Sequence, residues 1–259
     1  MRLLTVSHLE KAFDGNRAVD GVSFSVAAGE LLALIGPNGA GKSTVFNMLN
    51  GQLGADAGSI LLGDQELLGR APRDIWRMGV GRTFQIAETF GSLTVLENVQ
   101  LALLSADRKL FSIWHRAARH KREEAMELLL RVGMAAQAER PCGVLAYGDV
   151  KRVELAIAVA NSPRLLLMDE PTAGMAPQER IELMALTRQW VTRRGLAVLF
   201  TEHSMDVVFA FADRIVVLAG GRVIAEGTPA DIRNNPRVQE VYFGSGKTFD
   251  NTLRSRDTA

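Results

Sequence analysis

Residues 36–44 read Gly36-Pro37-Asn38-Gly39-Ala40-Gly41-Lys42-Ser43-Thr44: a glycine, four residues, a second glycine, then lysine and serine, the spacing of a loop that wraps a phosphate. At average glycine content such a match arises by accident in about one chain in a hundred, so a plain glycine-rich turn before a helix is the competing reading. Context separates the two. Residues 30–35 form a short apolar run, and the residues after Lys42 keep helical spacing until Gly51 supplies a stop. A strand passing through glycines into a helix is the setting in which backbone amides converge on an anion. Gly39 and Gly41 let the backbone approach phosphate oxygens, Lys42 brings positive charge to the terminal phosphates, and Ser43 is suited to a magnesium ion. Gly36, Pro37, Asn38, Ala40 and Thr44 complete the candidate nucleotide-binding stretch.

A phosphate loop of this kind needs a carboxylate at the end of a neighbouring buried strand, and Arg164-Leu165-Leu166-Leu167-Met168-Asp169-Glu170 supplies it. Asp169 is read as the metal-side acid. Glu170, on the other side of the strand end, is read as the group that orients or polarises an attacking water, against the alternative of a solvated loop charge. Residues 196–201 repeat the buried-strand pattern, and between the two strands a long helical pattern starts at Pro177 and stops at Gly195. Strands alternating with helices predict a parallel sheet, hence an α/β fold. Upstream lies a helix-rich region in which Thr94-Val95-Leu96-Glu97 reads as a capping box and residues 114–132 as one long, charged amphipathic helix. It reads as an insertion into the α/β core. Residues 214–219 and 222–226 bracket Gly220-Gly221, a two-residue hairpin signal that places an antiparallel edge on the sheet.

The 259 residues, 47% of them hydrophobic, suffice for one large domain with an inserted subdomain. No apolar run approaches the roughly 20 residues of a membrane span, and the N-terminus has no signal-peptide pattern, so a cytoplasmic setting is expected. The single cysteine, Cys142, allows no internal disulfide and reads as a small packed residue. A net charge of +1 argues against a dedicated nucleic-acid binder. The basic cluster at residues 115–122 precedes Glu123-Glu124 and fits a solvated helix face. Residues 245–259 are polar and read as a mobile tail.

The order of these motifs resembles the ATP-binding cassette (ABC) family over nearly the whole chain. The resemblance implies a P-loop NTPase fold with a parallel core sheet and an antiparallel β subdomain. It also implies a domain over residues 1–244, with a helical subdomain inserted at about 86–160 and a C-terminal helical segment at about 228–244. Gln85, in Arg82-Thr83-Phe84-Gln85, looks like the family's glutamine loop, which contacts metal and water and faces the membrane partner; His203, in Thr201-Glu202-His203, looks like its switch histidine. Phe13 matches the aromatic that stacks on adenine, the alternative being a core aromatic. Leu145, Ala146, Tyr147, Gly148 and Asp149 occupy the place of the signature that acts on the ATP held by a second subunit. There Ala146 replaces a serine and Asp149 a glutamine, departures expected to weaken the partner's site. Ala176 replaces the aspartate that normally joins the two subunits.

Residues 171–176 and 235–244 are similar to the ATPases of branched-chain amino acid importers and their relatives for urea and small amides. That resemblance implies an ATPase using ATP and Mg2+, peripheral on the inner face of the cell membrane. It implies as partners a second cassette subunit, with a non-identical one favoured, two membrane permeases and, indirectly, a solute-binding protein. An ATPase of a lipid or lipopolysaccharide export system is the closest alternative. A soluble module whose ATP-driven dimerisation regulates another protein is a third.

Overall fold

The computed structural model describes residues 2–83, 89–106 and 121–243. The N-terminal 12-residue strands β1 (Arg2–Phe13) and β2 (Asn16–Ala27) form a hairpin through Asp14-Gly15, both with positive φ, the turn that matches strand twist. They join β4 (Ala57–Leu62) and β5 (Gln65–Glu66) in an antiparallel sheet ordered β2-β1-β4-β5.

The second sheet holds β3 (Leu31–Ile35), β6 (Val80–Thr83), β7 (Leu165–Asp169), β8 (Ala197–Thr201), β9 (Arg214–Ala219) and β10 (Arg222–Gly227), ordered β10-β9-β3-β8-β7-β6. All neighbours are parallel except β9 and β10, the hairpin expected at Gly220-Gly221, so the antiparallel edge lies where the sequence put it. Strands β3 and β8 are buried at every residue, as continuous apolar runs require in a sheet covered on both faces. Alternation divides them between two cores. Leu31, Ala33, Ile35, Leu166, Met168, Val198, Phe200, Ile215 and Val217 face one cluster. Leu32, Leu34, Leu165, Leu167, Ala197, Leu199, Val216 and Leu218 face the other.

The second cluster is roofed by the antiparallel sheet and by α1 (Lys42–Leu49), with Ile75 of the short α2 (Pro72–Arg77) beside it. Covering the first are α3 (Val95–Ala106), α4 (Arg122–Arg131), α5 (Tyr147–Val159), α6 (Pro177–Arg194), α7 (Met205–Phe211), α8 (Pro229–Arg233) and α9 (Pro236–Phe243). Helix α6 begins and ends as the sequence indicates, with Pro177 first and Gly195 closing it at φ 65°. The capping box forms. The Thr94 hydroxyl accepts from the Glu97 amide at 3.1 Å, while the Glu97 carboxylate accepts from the Thr94 amide at 2.8 Å.

One expectation fails. Of the helix read over residues 114–132, the described part starts only at Arg122 and ends at Arg131, because Lys121 is the N-cap of α4 and lies outside the helical region at φ −96°. Its ammonium is turned back onto both oxygens of Glu124 and is nearly buried, a local contact that apolar periodicity does not register. The earlier part of that reading, most of the basic cluster and the tail fall outside the described residues. Cys142 is a packed residue as read, 2% exposed, and burial pushes its thiol up. No described helix is long and apolar enough to cross a membrane.

Candidate active site

Parallel pairing brings three chain ends to one edge of the sheet. The phosphate loop leaves β3, Asp169 and Glu170 end β7, and residues 201–204 leave β8, which lies between them in strand order. With Phe13 from the end of β1 they enclose a cleft of about 320 Å³. Its walls include Phe13, Asn38, Gly39, Ala40, Gly41, Lys42, Ser43, Thr44, Glu170 and His203, ten residues singled out from sequence.

Gly41 is the N-cap of α1 with φ 100°, and a Cβ there would stand 2.5 Å from the carbonyl oxygen of Ala18. Only glycine fits both the left-handed backbone and the close approach. No side chain caps this helix, so the amides of its first turn remain directed to the cleft. Gly36 is held as closely, since its Cβ would fall 2.2 Å from the carbonyl oxygen of Leu218. Lys42 curls over the loop and donates to the carbonyls of Gly36 at 2.7 Å and Pro37 at 3.1 Å. Burial lowers its pKa, opposed by the charges of Glu170 and Asp169, so both acids are within electrostatic reach of the ammonium.

On the acid side Asp169 stands opposite Thr201 in the ladder. The Thr201 hydroxyl donates to Asp169 Oδ1 at 2.7 Å and accepts from the Glu170 amide at 3.0 Å. Arg82, the last but one residue of β6, places Nη2 3.7 Å from Asp169 Oδ2 and donates to Gln52 at 2.7 Å and Asn47 at 3.4 Å. Glu170 adopts φ 46°, which turns it out of the strand direction, and its Oε1 lies 2.9 Å from Nε2 of His203. Phe13 is 47% exposed, with Lys11 Nζ 5.7 Å from its ring centroid, which overturns the alternative of a core aromatic and leaves a face for stacking. Gln85 lies outside the described residues.

The five signature residues line no part of this cleft. Leu145 packs against the first core cluster, and Ala146 is the N-cap of α5 without a side-chain cap. Tyr147 is 43% exposed, Gly148 is buried, and Asp149 lies in the first helical turn, where an acid suits the helix dipole. Gly148 is pressed against Glu179 of α6, whose carboxylate also accepts from the Ala176 amide at 3.0 Å.

Four functional-site neighbours escaped the sequence reading: Thr201, Arg82, Glu202 and Tyr242. The first three were within quoted motifs but carried no spacing signal of their own. Tyr242, in α9, sits with its hydroxyl against the backbone amide of Gly36, and burial drives its phenol well above the ordinary range. Among the described residues no cluster of three or more His, Cys, Asp or Glu could form a metal cage. The Ser43 hydroxyl and the Asp169 carboxylate are hard oxygen donors, a set that fits a magnesium ion holding waters and substrate phosphates.

A phosphate loop, a carboxylate pair and a histidine on one edge of a parallel sheet define a nucleoside-triphosphate-binding protein of the phosphate-loop class. The family model described as ABC transporter matches residues 19–173, and that described as branched-chain amino acid ATP-binding cassette transporter matches residues 222–248. The chain belongs to the ABC transporter family and carries its ATP-binding cassette. It is 41% identical to the high-affinity branched-chain amino acid transport ATP-binding protein LivG of Escherichia coli (strain K12), over 93% of this chain and 98% of that one. Identity to BraF of Pseudomonas aeruginosa, a protein of the same description, is 38% over 93% and 98%. Among solved structures, a nucleotide-free ATP-binding cassette from an ABC transporter superposes with TM-score 0.84 at 30% identity, covering 95% of this chain and all of that one.

Proposed function

We propose that this chain is the ATP-hydrolysing subunit of an importer of branched-chain amino acids. The observation that carries the proposal is the match at both ends, an ABC cassette over residues 19–173 followed by the branched-chain segment over 222–248. In this reading the amides of residues 38–44 and the Lys42 ammonium bind the β- and γ-phosphates, and Phe13 stacks on the base. Lys42 leaves its two carbonyl partners for phosphate oxygens, a stronger charge-assisted contact. Ser43 and Asp169, with Gln85, are the residues that would hold magnesium, which supplies charge neutralisation of the phosphates. Glu170 orients and deprotonates the attacking water. His203, 2.9 Å from Glu170, fixes the direction of that carboxylate and reaches toward the terminal phosphate.

The site is half of a composite. Residues 145–149 stand clear of the cleft on their own chain, so they are offered to the ATP of a second cassette subunit. Ala146 and Asp149 change what they offer, from a hydroxyl to backbone donors beside a carboxylate. We assign residues 1–244 to the cassette, about 86–160 to the helical unit that meets the permeases, and about 228–244 to a C-terminal segment. The complex comprises two cassettes, two permeases and a solute-binding protein, with this chain on the inner face of the cell membrane.

Cells in which Lys42→Ala replaces the native chain are expected to lose high-affinity uptake of labelled leucine, isoleucine and valine while the protein remains at normal abundance. Undiminished uptake would remove the branched-chain assignment. Recovery of apolar permease chains with the tagged native protein from solubilised membranes is the companion measurement; their absence would contradict the transporter assembly.

A further inference from the structure

Glu202 is 3% exposed, and each of its two oxygens serves a different loop. Oε1 accepts from both the backbone amide, at 2.9 Å, and the hydroxyl of Thr172, in the loop of residues 171–176 that follows Glu170. Oε2 accepts from the backbone amides of His203 at 3.0 Å and Ser204 at 3.2 Å. All four of these hydrogen bonds are donated to the carboxylate by the two loops. A second strap joins the same two loops further along. Arg180 of α6 donates through Nε to the carbonyl of Met175 at 2.8 Å and through Nη1 to the Ser204 hydroxyl at 3.0 Å.

We infer that Glu202 is a positioning residue for hydrolysis, latching the loop of residues 171–176 to the loop that carries His203 so that the two move as one body. A neutral solvent-facing residue would suffice merely to end β8. A buried carboxylate costs several kcal/mol to desolvate unless fully hydrogen-bonded, and every bond seen here goes to one of these two loops. Displacement of residues 171–176, the segment next to α6 that faces a second subunit in the proposed assembly, is thereby passed to the backbone of His203 and on to its 2.9 Å contact with Glu170. The inference rests on the hydrolytic reading of Glu170 and His203 given above.

Glu202→Gln in the full chain, within the complex purified through it, tests it with two readouts. The amide nitrogen of glutamine must face one of the two donor pairs, so one loop is released with little change of volume. Hydrogen exchange at the amides of Thr172, His203 and Ser204 is expected to quicken roughly tenfold or more, in both loops together. ATP turnover is expected to fall about tenfold or more with ATP affinity unchanged, a split that mere loss of stability would not produce. Thr172→Val should move both readouts in the same direction by less and add little on top of Glu202→Gln, whereas Thr172→Ser should restore native values. Native exchange in either loop, or a turnover loss matched by an equal loss of ATP affinity, would overturn the latch. Should Glu202→Gln not fold, Thr172→Val decides, since unchanged exchange at His203 and Ser204 would overturn it. A native assembled complex that does not hydrolyse ATP would instead remove the ATPase reading and leave the exchange measurement standing.

Discussion

At Lys42 a single ammonium answers two different demands. Without a phosphate it satisfies the carbonyls of Gly36 and Pro37, and burial already disfavours its charge. A bound polyanion restores the preference for the charged form, so the residue is poised for phosphate. Lys42→Ala is expected to weaken ATP binding by about 100-fold, the worth of a charge-assisted contact in a partly desolvated site, as measured by calorimetric titration. Affinity within a factor of two of the native value would remove Lys42 from the cradle. At this scale the sequence was informative where chemistry depends on spacing, as at Gly36, Gly41, Lys42, Asp169 and Glu170. It was silent at Thr201, whose hydroxyl bridges the two acids, because nothing in Thr201-Glu202-His203 says which neighbour across the ladder it will meet. Arg82 was silent for the same reason, its partners lying 30 and 35 residues back along the chain.

Among the elements, the ones with signals at both ends were legible. Pro177 and Gly195 bound α6, Thr94 and Glu97 start α3, and Gly220-Gly221 turn β9 into β10. Removing one such signal has a defined cost. Thr94→Ala should destabilise the fold by about 1 kcal/mol, the value of an N-cap, measured by chemical denaturation with an unchanged slope. The partners of strands built from distant pairing were not legible. Strand β1 is sandwiched between β2 and β4, some 50 residues further on, and β6 finds its place only against β7 across the whole helical region. Helix α4 shows the limit of periodicity in the other direction, since the apolar pattern runs on through Lys121 while Lys121 is the N-cap of the described helix. Helix α5 carries a buried ion pair, Lys151 to Glu154 at 3.0 Å, with side chains 1% and 5% exposed. Lys151→Met removes the ammonium 3.0 Å from a buried carboxylate and is expected to cost about 3 kcal/mol in the same denaturation experiment, whereas replacing both residues by apolar ones should cost much less. A small effect of the single change would mean that Glu154 finds another donor.

For the whole molecule, the alternation of the parallel strands divides the interior into a helical side and a side roofed by the antiparallel sheet, and the nucleotide cleft opens where the strands of both cores end. The C-terminal helix α9 closes back on this edge, with Tyr242 against Gly36, so the segment that matches the branched-chain model touches the first residue of the phosphate loop. The motif order made the α/β class and the phosphate site legible from sequence, whereas the link between α9 and the phosphate loop was not. The cleft gathers the phosphate loop, Lys42, Glu170 and His203, yet residues 145–149 of the same chain line no part of it. That separation is why hydrolysis is assigned to Glu170 within an assembly rather than to the isolated chain. The most direct measurement is single-turnover cleavage of labelled ATP by the Glu170→Gln form in the complex purified through this chain. The account requires ATP to bind with native affinity and to be cleaved slower by a factor of about 100 or more, as removal of a general base demands. Cleavage at the native rate, or loss of ATP binding in step with loss of cleavage, would contradict it.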